Sequence, residues 1–103
     1  MNYLYGRDDW SVSIAADDAG GTAVAVVHAP ATGRTHTAIR GQGSWLGDRR
    51  LRVRDRTTLS DALVGTGFSY LSAGRERQAA TLARLLPGVA DIRRSGSAAL
   101  DLA

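Results

Sequence analysis

Four short segments with the pattern of β-strands occupy the first half of the chain, and they constrain its fold most. The segments are 10–16, 22–29, 34–40 and 49–53. In the first segment alternate residues from Trp10 to Ala16 are apolar, a period of two that is typical of a strand with one buried face. Strands joined by short turns pair with their neighbours in antiparallel order. The sequence therefore predicts a four-stranded antiparallel meander.

The residues between and within these segments refine the prediction. The nearly continuous apolar run 22–29 predicts a strand that is buried on both faces. The stretches 17–21 and 30–33 are predicted turns, because Asp, Pro and Gly favour turn geometry. The glycines of 41–47 predict a bulge or a sharp bend before the last strand.

The second half of the chain combines strands with helices. Its predicted elements are a polar connection over 57–62, a strand over 63–68, an amphipathic helix over 75–86, a strand over 89–94 and a helix that begins near Ser97. The apolar stripe of the first helix is predicted to consist of Ala79, Leu82, Ala83 and Leu86. Pro87 is expected to end this helix, because proline disfavours helical geometry in the residue before it.

These elements predict an α/β chain, a layered α+β sandwich in which an antiparallel meander is followed by β-α-β-α. A length of 103 residues allows a single domain. We expect this domain to be partial, with 1–56 as its antiparallel sheet part and 57–103 as the start of a second α/β part. Trp10, Trp45 and the helix stripe need more apolar partners than the chain supplies. We therefore expect marginal stability and self-association through exposed apolar surface.

The charged residues bear on the class of partner. All thirteen basic residues are arginine, and the net charge is +3. Because arginine binds phosphate well, a non-catalytic arginine-rich module that binds nucleic acid is an alternative function. The segment 47–56 interleaves arginine with aspartate, however. That pattern favours a solvated strand face over a nucleic-acid interface.

Composition excludes several other classes of site. The chain has no cysteine, which excludes disulfides and thiolate metal sites within it and fits a cytoplasmic protein. It has no apolar run of the roughly 18 residues that a membrane span needs. Its first ten residues lack the basic and apolar regions of a signal peptide.

Few residues have the arrangement that catalysis requires. His28 and His36 both lie in predicted strands, where either can be an ordinary strand residue. The aspartate pairs 8–9 and 17–18 do not offer the convergent oxygens that a hard cation needs. The stretch 65–68, "GTGF", lacks the lysine and hydroxyl residue of a phosphate loop. We therefore expect no catalytic residue and no metal ligand within this chain.

One stretch, "SGSAAL" over 95–100, has the pattern of a ligand-binding turn. Gly96 allows close approach to the backbone, and Ser97 stands at the position of a helix N-cap. The amides of Ser97, Ala98 and Ala99 are then expected to point out of the helix N-terminus toward a phosphate or hydroxyl oxygen. The alternative is a capped helix start with no ligand.

Together, four stretches resemble the bacterial branch of the inositol monophosphatase family. They are "NYLYGRDDWSVSIAA", "TGRTHTAIRGQGSWLGDRRLRV", "ALVGTGF" and "DIRRSGSAALDLA". The patterns G-x-G-[SA]-[WF] at 41–45 and R-x-x-G-[ST]-A-A at 93–99 are the most specific. The resemblance implies the family fold and Mg²⁺-dependent hydrolysis of inositol-1-phosphate to inositol and phosphate. Histidinol-phosphate and other sugar-phosphate phosphatases share these stretches and are alternatives.

The resemblance also implies individual residue roles. Gly96, Ser97 and Ala98 match backbone and hydroxyl contacts to the ring of a phosphorylated polyol or sugar. Ser69 matches a ring-contacting serine in a more variable loop, and a solvated hydroxyl is the alternative there. Asp101 is expected to be structural. The resemblance further implies a homodimer for the full-length enzyme.

The metal ligands of the family are expected outside this chain. In the family an acidic motif, D-P-[IL]-D-G-T-T, directly precedes the segment that is "NYLYG" here, and Asn2 matches the residue that follows its final threonine. A Glu-Glu motif lies further upstream, and a W-D motif follows the segment that ends at Ala103. The resemblance thus implies an internal fragment that lacks the Mg²⁺ ligands and is inactive by itself.

Overall fold

A computed structural model describes residues 1–55 and 58–103. The five strands of its first part are β1 (Val12–Asp18), β2 (Gly21–Ala29), β3 (Arg34–Ile39), β4 (Gly43–Leu46) and β5 (Arg49–Arg50). They form one sheet in chain order, in which each strand is antiparallel to the next. The predicted antiparallel meander is confirmed, and the described residues give it one strand more than the sequence indicated.

The additional strand is β4. The prediction of a bulge or sharp bend over 41–47 is confirmed only at the two ends of this stretch and is wrong for Gly43–Leu46, which pairs with β3 as a regular strand. Gly41 and Gly47 have φ angles of +77° and +56°, which turn the chain before and after β4. Pairing then continues only over Arg49–Arg50, so β5 is shorter than the predicted strand 49–53.

The turn between β1 and β2 is tighter than the predicted 17–21. β1 continues to Asp18 and β2 begins at Gly21, which leaves Ala19 and Gly20 as the turn. Asp18 closes it, since its Oδ1 accepts a hydrogen bond from the Gly20 amide at 2.7 Å. The other carboxylate oxygen, Oδ2, accepts a hydrogen bond from Arg40 Nη2 at 2.5 Å.

This carboxylate should make stability depend on pH. The Arg40 guanidinium, followed by the Gly20 amide, lowers the pKa of Asp18 below its usual 3.8. Asp18 therefore stabilises the folded state at pH values above its usual pKa. This stabilisation is lost as the pH falls through the lowered pKa of the folded state. We expect Asp18→Asn to lower the urea midpoint at neutral pH and to have less effect in strong acid. Asp17→Asn is the matched control, and an equal effect of both variants at every pH would contradict the prediction.

One face of the sheet is apolar and exposed. Ile14 lies opposite Val26 and Val24 lies opposite Ile39, so these side chains share a face with Val12. We call Val12, Ile14, Val24, Val26 and Ile39 the apolar face. All five are exposed, Ile14 by 63%.

This exposure contradicts the expectation that the strand over 22–29 is buried on both faces. From Ala23 to Val27 the residues of β2 alternate between half-buried and exposed. Ala29, which is 2% exposed, is the one fully buried apolar residue in the described part of the chain. The core of the described residues is therefore small.

Two strands and a helix follow the meander. They are β6 (Leu63–Gly65), α1 (Ser72–Leu85) and β7 (Asp91–Arg93), and short 3₁₀ turns lie at Leu59–Asp61 and Leu86–Gly88. β6 and β7 pair in parallel, as strands linked through a helix can. Both predicted strands are confirmed in shorter form.

Helix α1 differs from its prediction in the residue at which it begins and in the face that is half-buried. It begins at Ser72 rather than at residue 75, and it ends at Leu85, with Pro87 in the following 3₁₀ turn. Its half-buried residues are Gly74, Gln78, Leu82 and Leu85. The predicted stripe is thus wrong for Ala79, Ala83 and Leu86, which are exposed.

The contacts divide the chain into two units. The sheet unit consists of residues 1–53 and 96–103, and the strand–helix–strand unit consists of residues 54–95. The last helix, α2 (Ala98–Leu102), contacts β2 within the sheet unit. Residues 96–103 were instead expected in the second part of the chain. The expected boundary after residue 56, and the first residue of the connection 57–62, lie outside the described residues.

The order of elements is that of the predicted class, an antiparallel meander followed by β-α-β-α. Across residues 1–55 and 58–103, neither α-helix has the length and apolar character of a membrane span.

Candidate functional site

The turn between β7 and α2 has the geometry expected for "SGSAAL". Gly96 has a φ of +98°, a conformation that favours glycine. Ser97 is extended, and its carbonyl accepts hydrogen bonds from the amides of Leu100 at 3.1 Å and Asp101 at 3.0 Å. Ser97 is therefore the N-cap residue, which confirms the predicted helix start.

The Ser97 side chain does not cap the helix. Its hydroxyl lies 3.1 Å from the hydroxyl of Ser11, and either oxygen can donate. Serine at an N-cap usually accepts from the amides of the first turn. The amides of Ala98 and Ala99, in the first turn of α2, have no acceptor within the helix, as is general for helix N-termini. Ser97 is half-buried and Ala98 is exposed.

Asn2 approaches this turn from the N-terminal segment. Its Nδ2 donates a hydrogen bond to the carbonyl of Asp9 at 2.6 Å. A β-carbon built on Gly96 would lie 2.6 Å from that same Nδ2 and 3.1 Å from Oδ1. The Asn2 amide thus occupies the space that a side chain at position 96 would need.

Asn2, Ser11, Gly96 and Ser97 form one group, which we call the turn cluster. The sequence predicted Gly96 and Ser97 as site residues, and the structure brings Asn2 and Ser11 to them. In the sequence, Ser11 has only the pattern of a polar residue within a strand segment. No local pattern indicates its role, because Ser11 and Ser97 are separated by 86 positions.

Ser69 lies in the strand–helix–strand unit, before α1. Its hydroxyl accepts a hydrogen bond from the Leu71 amide at 3.1 Å, and its own amide donates to Gln78 Oε1 at 2.8 Å. Arg75 donates to its carbonyl at 3.1 Å. The residues that line a shallow groove here are Ser69, Gly74, Arg77, Gln78 and Thr81. The Ser69 hydroxyl keeps its own proton for a further hydrogen bond.

The two histidines lie in strands of the sheet unit, as expected. His28 Nδ1 is 2.9 Å from Thr35 Oγ1 on the neighbouring strand. His36 Nδ1 is buried and has no hydrogen-bond partner. His36 lines a pocket of the sheet unit together with Ala99 and Leu102 of α2.

The described carboxylates do not gather into a site for a divalent cation. Among residues 1–55 and 58–103, no three side chains of His, Asp or Glu come together in a possible metal site. Asp18 and Asp91 are each paired with an arginine, Arg40 and Arg93 respectively. These residues therefore do not fit the oxygen-rich coordination of Mg²⁺.

Comparison with known proteins gives a match over the whole chain. The model of the Inositol monophosphatase family matches residues 1–103. The inositol-1-monophosphatase of Rhizobium meliloti (strain 1021) is 46% identical over 103 residues, which are 99% of this chain and 39% of that protein. A Pasteurella multocida (strain Pm70) protein named Nus factor SuhB is 40% identical over 102 residues, which are 98% of this chain and 38% of that protein.

The fold is also similar to a solved one. The structure of Mycobacterium tuberculosis SuhB matches with a TM-score of 0.90 and 43% identity, over 98% of this chain and 43% of that chain. The chain thus spans less than half the length of each of these three relatives.

Proposed function

Because the chain belongs to the inositol monophosphatase family, we propose that it forms the ring-contacting part of an enzyme that hydrolyses inositol-1-phosphate to inositol and phosphate. The turn cluster carries this proposal. It presents a glycine backbone, a serine hydroxyl and the first amides of a helix on residues 96–98, where the resemblance implies substrate contacts. Histidinol-phosphate and other sugar phosphates are the alternative substrates.

Each proposed contact has a chemical reason. Gly96 is proposed to contact a ring hydroxyl through its backbone, on a side other than the one that the Asn2 amide fills. The Ser97 hydroxyl can donate and accept, which suits a ring hydroxyl that does both. The Ala98 amide, in the first turn of α2, suits an oxygen acceptor. Ser69 is proposed as a further ring contact through its hydroxyl proton.

Mg²⁺ is proposed as the cofactor of the whole enzyme on the resemblance alone. The described carboxylates do not form its site, so we assign no metal ligand and no catalytic step to this chain. The cytoplasmic location and the homodimer remain predictions of the same resemblance.

Nucleic-acid binding is not part of this proposal. In the arginine-rich segment, Arg50 lies over the ring of Trp45, 5.8 Å from its centroid. An arginine over an aromatic ring is a common stabilising contact in folded proteins and does not by itself indicate nucleic-acid binding. A sequence preference that survives high salt would instead favour the nucleic-acid module.

We expect the purified 103-residue chain to release no phosphate from inositol-1-phosphate, with or without Mg²⁺. Without metal ligands, the charge that develops in the transition state lacks its main stabilisation. The measurement is inorganic phosphate release, with histidinol-phosphate and a sugar phosphate assayed alongside. Mg²⁺-dependent turnover by the purified chain would contradict this expectation.

The DNA on either side of the coding sequence provides a test in which activity is expected. We expect this DNA to encode D-P-[IL]-D-G-T upstream of Met1 and W-D downstream of Ala103. A protein extended over both motifs should hydrolyse inositol-1-phosphate with Mg²⁺, and in that protein Ser97→Ala should weaken substrate binding. An extended protein that prefers histidinol-phosphate would replace the proposed substrate with the alternative.

A further inference from the structure

We propose that Asn2 is a positioning residue that holds the Gly96–Ser97 turn in one geometry. The proposal rests on the proposed function only for what the turn binds. Its structural basis is the turn cluster, in which two segments from opposite ends of the sequence meet.

Asn2 is fixed through both its backbone and its side chain. Its carbonyl accepts hydrogen bonds from the amides of Tyr5 at 3.1 Å and Arg7 at 3.0 Å. Its Nδ2 donates to the Asp9 carbonyl at 2.6 Å. Because its backbone and its side chain are both hydrogen-bonded within residues 1–9, the Asn2 amide has a defined position against which another segment can pack.

Gly96 rests against this amide. The space for a β-carbon on Gly96 is already taken by the Asn2 amide, whose nitrogen would lie 2.6 Å away. The φ of +98° is a second, independent reason for glycine at this position. The two reasons can be separated by experiment, because only the steric one depends on Asn2.

Ser11 provides a second attachment of the same turn. It follows Asp9, the partner of Asn2, by two residues, and its hydroxyl lies 3.1 Å from that of Ser97. The stretch 9–11 therefore contacts Asn2 through one residue and Ser97 through another. This arrangement fixes both the backbone path at Gly96 and the direction of the Ser97 hydroxyl, the two features that a ring contact would use.

The test is a double-mutant cycle on the 103-residue chain with Asn2→Ala and Gly96→Ala. Gly96→Ala alone should destabilise the chain through both the φ strain and the clash. In the Asn2→Ala background the clash is gone and only the φ strain remains. We expect the effect of Gly96→Ala on the unfolding equilibrium constant to be about 10-fold smaller in that background. Equal effects in both backgrounds would overturn the proposal.

A spectroscopic measurement covers the case in which Gly96→Ala does not fold. Recovery of folding in the Asn2→Ala/Gly96→Ala chain supports the proposal, and failure of both chains to fold counts against it. In addition, Asn2→Ala alone should shift the amide resonances of Gly96, Ser97 and Ala98 while leaving those of β6 and β7 unchanged. Thr22→Ala, at the opposite end of the β1–β2 pair from Ser11, is the control and should leave the turn resonances in place.

Titration with inositol-1-phosphate then separates the two proposals. Perturbation of the Gly96–Ala98 resonances in the wild-type chain, weakened by Asn2→Ala, supports both. Coupling between positions 2 and 96 without any response to inositol-1-phosphate supports the positioning role and counts against the proposed function. A response that Asn2→Ala leaves unchanged overturns the positioning role.

Discussion

Replacing Ala29 with aspartate is expected to unfold the sheet unit at neutral pH. Ala29 is the last residue of β2, lies opposite Arg34 of β3 and is 2% exposed. Removing a carboxylate from water destabilises the folded state by about 2–7 kcal/mol or more. A salt bridge with the exposed Arg34 opposite it would offset only about 0–1 kcal/mol of that cost. Domains of this size are stable by only about 5–15 kcal/mol. Because so little of the sheet unit is buried, its stability should lie near the lower limit.

The measurement is urea unfolding followed by circular dichroism. Ala31→Asp is the matched control, since it adds the same group two residues away at an exposed turn position. The control should keep a midpoint close to that of the wild type. An Ala29→Asp chain with the wild-type midpoint would show that Ala29 is not part of the stabilising core.

Placing lysine at Ile14 and Val26 is expected to convert a self-associating chain into a monomer. These two residues lie opposite each other at the centre of the apolar face. Exposed apolar patches on soluble proteins promote association, and two charges at the centre of one would have to be desolvated on contact. The wild-type chain should therefore increase in apparent mass with concentration, and the double variant should not.

Sedimentation velocity over a range of concentrations measures this difference. Ser13→Lys is the control, since Ser13 is an exposed residue of the same strand whose side chain points to the other side of the sheet. A double variant that associates as strongly as the wild type would place the contact on another surface. A wild-type chain that is monomeric throughout would contradict the expectation of self-association itself.

The strands and helices that the sequence predicted well are those with a local signal. The alternation from Trp10 to Ala16 and the turn residues at 30–33 depend on neighbours in sequence, and β1, β2 and β3 were found close to their predicted bounds. β4 was missed because its glycines have the composition of a bend. In the structure they turn the chain at its ends, and the pairing with β3 decides that the residues between them are a strand.

The errors in burial have a different cause. Which side of α1 is buried depends on what lies beside the helix, and the spacing of alanine and leucine alone selected a stripe that is mostly exposed. The apolar character of β2 likewise predicted a strand covered on both faces. The apolar composition of a strand indicates which faces it can bury. Whether those faces are buried depends on which other elements pack against the strand.

The candidate site was predictable only in part. Gly96 and Ser97 carry a local signal, a glycine and a hydroxyl before a helix. Asn2 and Ser11 carry none, because their role depends on contacts with residues far away in sequence. The family resemblance implies substrate contacts at residues 96–98 and implies no role for Asn2 or Ser11.

The sheet unit is built from two segments, residues 1–53 and 96–103, that the ribosome synthesises at different times. The meander is complete once β5 has been made, but Gly96 and Ser97 follow more than forty residues later. At about 5–20 residues per second, that delay amounts to a few seconds. Chaperones that recognise exposed apolar strands would act on the nascent chain in this interval, before Ser97 reaches Ser11.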